Sequence, residues 1–96
     1  MKSVKDQRPA AGRKPVPTEL DSRQAELFER LRTLRAGIAR RQGVPAYVVF
    51  SDKTLRALAV VQPRNLEEFR TVSGVGDAKA SRYGKAFLAE IEAFNN

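Results

Sequence analysis

Apolar residues recur at Leu27, Leu31, Leu34 and Ile38, at spacings of four, three and four. That period puts them on one face of a helix. Phe28 and Ala39 widen the stripe, while Arg23, Arg30, Arg32, Arg40 and Arg41 fall on the other faces. Asp21 stands just before the pattern with Gln24 at the capping-box spacing, so a first helix is predicted over Ser22–Gln42. Glu26 and Arg30 form an i, i+4 pair in the favourable order. Gly43 then ends the helix as a residue suited to left-handed backbone.

Helical spacing lapses over Val44-Pro45-Ala46-Tyr47-Val48-Val49-Phe50. Pro45 keeps Val44 extended. A lone strand would have no partner in a helical chain, so a buried irregular or 3₁₀ connection is expected, with Val48, Val49 and Phe50 in the core. Ser51 then caps a helix from Asp52 to about Val61. Leu55, Leu58, Ala59 and Val61 would face inward, and Lys53 and Arg56 outward. Pro63 prevents continuation. Asn65, with Glu68 at the capping-box position, opens a short helix whose apolar face is Leu66, Phe69 and Val72.

Thr71 to Lys79 reads as helix, tight turn, helix. Gly74 and Gly76 supply access to positive φ, and Val75 between them can point inward. The last helix is expected from about Asp77 to Phe94, with Gly84 the place for a bend and Ala80, Tyr83, Phe87, Leu88 and Ile91 as its inner stripe. The pattern is all-α, with a helix-hairpin-helix-like Gly-Val-Gly turn.

Composition narrows the chemistry. The 96 residues suffice for one small domain with a small core. Residues 1–20 contain Pro9, Pro15 and Pro17 among scattered charges. They are expected as a disordered or extended basic tail or linker, with residues 21–96 as the folded domain. The absence of cysteine removes disulfides and thiolate metal sites. The absence of histidine removes the commonest general base and metal ligand. Glu67 and Glu68 are adjacent and diverge around their helix, so they make no catalytic carboxylate pair. No catalytic residue, metal or cofactor is expected. No membrane-spanning run or signal peptide is visible, and a cytoplasmic setting, at the nucleoid, is expected.

The net charge is +7. Residues 1–20 hold five basic and two acidic groups, a net of +3, and residues 21–96 hold thirteen and nine, a net of +4. A polyanion is the natural partner of such a surface; ordinary solubility charge is the alternative. Arg40 and Arg41 crowd the last turn of the first helix, beside Tyr47 and Lys53. An exposed Tyr47 there would suit base stacking on single-stranded nucleic acid; a half-buried one would be structural. Lys79, Arg82 and Lys85 form a short basic ridge near the Gly-Val-Gly turn. Gly74 and Gly76 leave helix N–H groups free to meet a phosphate, or simply form the corner of an αα-hairpin. Asp77 in the first turn opposes the phosphate reading.

Taken together, several segments resemble the HRDC domain, the helicase-and-RNase-D C-terminal module, and especially that of bacterial RecQ helicases. They are Leu27 to Arg35, Val44 to Leu55, Leu66 to Phe69, Val72 to Lys79 and Arg82 to Phe87. The likeness spans about residues 24–94. Its specific part is Val-Pro-x-Tyr-Val-Val-Phe, followed at the right distance by Gly-Val-Gly-x-x-Lys. The resemblance implies a compact bundle of about five helices and a non-catalytic accessory role. It also implies that Tyr47 and nearby basic groups form the nucleic-acid surface.

The expected function is therefore weak, sequence-independent binding of single-stranded or branched DNA, with the rest of a helicase as neighbour and a monomeric state. The expected contacts are Arg40, Arg41, Tyr47, Lys53, Lys79, Arg82 and Lys85. Two alternatives stand beside it: a protein-docking module with an apolar patch at Val44, Pro45, Tyr47 and Val48, and an RNA-binding domain of an RNase-D-like exonuclease.

Overall fold

Two long antiparallel helices set the frame. The computed structural model describes residues 19–96, and the tail expected over residues 1–20 lies outside this range up to residue 18. Among the described residues the elements are α1 (Ser22–Gln42), α2 (Ala46–Val49), α3 (Asp52–Val61), α4 (Leu66–Arg70) and α5 (Gly76–Asn95), with no strand. Near one end, Arg30 Nε donates to Glu90 Oε2 at 2.7 Å. Towards the other, the Tyr83 hydroxyl donates to Gln42 Oε1 at 3.0 Å. These contacts run α1 and α5 in opposite directions. α3 is antiparallel to α1 as well, since Arg56 lies over Phe28 while Asp52 meets Arg35.

The helix ends follow local chemistry. The Asp21–Gln24 capping box forms in both directions. Gly43 closes α1 at φ 69°, where glycine meets no Cβ penalty. Ser51 caps α3 by accepting from the Thr54 amide, and Asn65 caps α4 by accepting from the Glu68 amide. Glu68 does not return the bond to Asn65; its Oε1 accepts from the Arg64 amide at 2.8 Å. Arg30 is drawn across to Glu90 and forms no ion pair with the expected Glu26.

Phe50 is the hub of the core. It is fully buried, and the rings of Phe69, Tyr83 and Phe87 stand edge-on to it at centroid distances of 6.0, 5.7 and 5.1 Å. Leu27, Leu31, Leu55, Leu58 and Ile91 fill the space around this cluster. Burial of such rings is the main favourable contribution in a domain of this size.

Several expectations are corrected. The segment before Phe50 is one turn of α-helix, closed by Phe50 N–H on Ala46 O. A single turn turns successive residues by about 100°, so Val49 faces in and Val48 faces out, 40% exposed. Val61 ends α3 beyond the cover of its neighbours and is 51% exposed. Leu66 is 45% exposed, because it rides over α5 at Gly84 rather than beneath α4. A Cβ at Gly84 would overlap Leu66 Cδ2 and stand 3.5 Å from Phe69 Cδ2. Gly84 is thus a close-approach residue, and α5 continues through it. Leu34 and Leu88 sit half-buried at the margin of the core.

The Gly-Val-Gly corner is built as expected. Gly74 and Gly76 take φ of 89° and 70°, and Val75 is buried. A Cβ on Gly74 would collide with Thr54 Oγ1. That hydroxyl donates to Ser73 O at 3.2 Å, so the corner is fastened to α3.

Candidate nucleic-acid interface

The ends of four helices meet around Phe50 and Tyr83. The Tyr83 ring packs on Phe50 while its hydroxyl holds Gln42 at the end of α1. Arg40 and Arg41 occupy the last turn of α1, where cations complement the helix dipole. α2, carrying Tyr47, lies between that turn and Phe50. Lys53 follows in the first turn of α3 and is exposed. On α5, Lys79 Nζ lies 5.7 Å from the Phe50 ring centroid, and Arg82 Cζ lies 6.0 Å from that of Tyr83. Both charged groups thus lie over aromatic rings at cation–π range.

Tyr47 is 70% exposed. Of the two arrangements open to it, the structure takes the outward one. The short α2 determines this, since Val49 and Phe50 use its inner side.

Ion pairing separates the cations into two groups. Arg30, Arg32, Arg35 and Arg70 pair with Glu90, Glu29, Asp52 and Asp77. Among the described residues, Arg40, Arg41, Lys53, Lys79, Arg82 and Lys85 form no ion pair. The two acids at this end, Asp52 and Asp77, are each taken by an arginine. Asp21, Glu26, Glu29, Glu90 and Glu92 lie along the first half of α1 and the close of α5, and Glu67 and Glu68 lie on α4. Unpaired cations thus flank Tyr47 along the chain at Arg40, Arg41 and Lys53, while Arg23, Arg56 and Arg64 are unpaired elsewhere on the described surface.

Two expected members stand differently. Six residues along a helix fall about 120° short of two whole turns, and Lys85 turns away from Lys79 to line a groove with Val61 and Leu66. The expected ridge is thus divided. At Gly74 and Gly76, α5 starts with no side-chain cap, and Asp77 occupies its first turn. The corner's packing against Thr54 accounts for Gly74 without any ligand.

Arg35 is a residue that apolar periodicity did not single out. It is buried, and its guanidinium donates to Phe50 O at 3.0 Å and lies 2.8 Å from Asp52 Oδ1. It fixes the junction of α2 and α3, and so the base on which Tyr47 stands. Its signal was a cation on the apolar face, between Leu31 and Ile38.

Among the described residues no three carboxylates come together as a metal site, and no helix is long and apolar enough to cross a membrane.

Comparison with known proteins agrees with this architecture. The family model of the HRDC domain matches residues 24–91. The chain is 52% identical over 69 residues to the ATP-dependent DNA helicase RecQ of Bacillus subtilis, covering 72% of this chain and 12% of that protein. It is 40% identical over 63 residues to the ATP-dependent DNA helicase UvrD2 of Mycobacterium tuberculosis, covering 66% of this chain and 9% of that one. The chain thus spans only about a tenth of the length of these relatives. The solved structure of D. radiodurans RecQ HRDC domain 3 superimposes with a TM-score of 0.75 at 40% identity, covering 78% of this chain and 99% of that one. Helix order, aromatic hub and these matches agree: the chain belongs to the HRDC domain family.

Proposed function

We propose that this domain is an accessory DNA-binding module of a RecQ-type helicase. It holds single-stranded or branched DNA weakly and without sequence preference. One observation carries the reading: Tyr47 is 70% exposed on the short helix between Arg40–Arg41 and Lys53, Lys79 and Arg82 lie over the Phe50 and Tyr83 rings, and none of these five cations is neutralised by a described carboxylate. The cations attract phosphates and Tyr47 stacks on an unpaired base. Backbone and stacking contacts carry little sequence information. The domain itself performs no bond chemistry; strand separation and ATP hydrolysis belong to the parent helicase.

Few contacts imply weak binding, on the order of 10⁻⁴ to 10⁻⁶ M at physiological salt. For five phosphate contacts to single strands the slope of log K on log salt is about −3.5, so a threefold rise in salt weakens binding roughly fiftyfold. An NMR titration with a short single-stranded DNA at low and physiological salt tests this. Shifts are expected at Tyr47, Lys53, Lys79 and Arg82, fading with salt; a shift at the Gly76 amide would add the corner as a peripheral phosphate contact. Tyr47→Ala should lose about 1–3 kcal/mol of affinity with the fold intact. Binding indifferent to salt, or silence at low salt, refutes the mechanism. Silence would favour protein docking through Tyr47 and Val48, the apolar pair exposed on α2. Parallel titration with the matching RNA separates the helicase reading from an RNase-D-like one.

A further inference from the structure

A second surface lies apart from the basic end. Between the close of α3, α4 and the second half of α5 is a groove of about 960 Å³. Val61, Leu66 and Leu88 give it apolar walls, and Arg64 and Lys85 stand among its lining residues. Val61, at the end of α3, and Leu66, at the start of α4, are about half exposed. Leu66 stays outside because Gly84 admits it over α5 and Phe69 already fills the space beneath. The lip is held by Gln62, a non-glycine residue at φ 51°. Its side chain bonds both to Ala59 O and to Asn95. Positive φ in such a residue is strained, and strain of this kind persists only where the surroundings hold it.

We propose that this groove docks an acidic peptide segment carrying bulky aliphatic or aromatic side chains. Charge selects the occupant. Neither Arg64 nor Lys85 pairs with a described carboxylate, and Glu92 is the one acidic residue in the lining. The chain's own residues 1–18 hold five basic groups and one acidic group, so that segment is repelled. Nucleic acid is the poorer fit, because no aromatic ring lines the groove and bases have nothing to stack on. Apolar walls flanked by cations suit a ligand with alternating carboxylates and large apolar groups.

The test uses the 96-residue chain and a ten-residue fluorescent peptide of alternating Asp and Leu or Phe. Anisotropy gives affinity and NMR gives the site. Shifts are expected at Val61, Leu66, Lys85 and Leu88, with Tyr47 unmoved. The double variant Arg64→Glu, Lys85→Glu should bind at least tenfold more weakly, and Leu66→Asp likewise; all three positions are exposed, so the fold should survive. Tyr47→Ala should bind the peptide normally, which keeps this result separate from the DNA reading. Equal binding by a peptide with Lys in place of Asp overturns the proposal. So does silence at the groove up to millimolar peptide, DNA-induced shifts there, or shifts that track protein concentration alone, which would mark a second copy as the occupant.

Discussion

Gly74→Ala is the sharpest test of how the corner is built. At φ 89° a residue with a Cβ is strained by about 1–3 kcal/mol. The new methyl would also meet Thr54 Oγ1. Thr54 is buried, so its hydroxyl must rotate and give up the bond to Ser73 O, at a cost of about 1 kcal/mol. Together the loss is about 2–4 kcal/mol, which in a domain of this length lowers Tm by roughly 10–25 °C. Urea and thermal melts followed by circular dichroism measure it. Thr54→Ala on its own removes the bond, and in the double variant the collision disappears while the φ strain stays. The cycle should therefore be sub-additive by about 1 kcal/mol. Gly84→Ala is the control. There the Cβ meets the far end of an exposed leucine, and helix propensity returns about 1 kcal/mol, so the net change should be small. A Gly74→Ala protein melting within about 3 °C of the parent, or a strictly additive cycle, refutes the reasoning.

Three further substitutions probe the support of the candidate interface. Phe50→Ala removes a fully buried ring with three edge-on partners and should cost about 3–5 kcal/mol, read as a chemical-denaturation midpoint near zero denaturant. Arg35→Leu should cost about 1–2 kcal/mol, because Phe50 O loses its buried donor, while Asp52→Asn should cost less than about 1 kcal/mol, since that side chain is 60% exposed. Equal losses in the two variants would show that the ion pair, and not the carbonyl bond, fixes the α2–α3 junction.

The long helices and their caps were legible because each rests on local signals. The heptad-like run from Leu27 to Ile38, Asp21 with Gln24, and Gly43 require nothing from distant residues. The correct placing of Val75 and of the two turn glycines has the same origin. What failed depended on neighbours. Val61 and Leu66 belong to apolar stripes, yet α5 leaves both partly uncovered, and only the tertiary arrangement decides which end of a stripe is roofed. Gly84 looked like a bend because glycine's other use, close approach, is invisible without the partner Leu66. Arg30 found Glu90 on another helix where spacing along the chain offered only Glu26. At the candidate interface, residue types and proximity in sequence gave Tyr47 with Arg40, Arg41 and Lys53. The outward direction of Tyr47 came from a single helical turn too short to carry a period. Lys85 was grouped with Lys79 by spacing alone, and the rotation of α5 takes it to another face.

That rotation gives α5 two separate faces. Its N-terminal half presents Lys79 and Arg82 beside the aromatic hub, and its later turns present Lys85 and Leu88 to the groove. The Gly-Val-Gly corner lies upstream of both. It holds α3 through Thr54, and it sets α4 against α5 so that Leu66 comes to rest over Gly84. A change at the corner should therefore loosen the proposed DNA surface and the groove together, whereas Tyr47→Ala and Lys85→Glu should each disturb one. Hydrogen exchange on the Gly74→Ala protein distinguishes the cases: protection lost in both α3 and α4 makes the corner the common support, and protection lost in α4 alone would mean that Arg35, not Thr54, holds α3 in place.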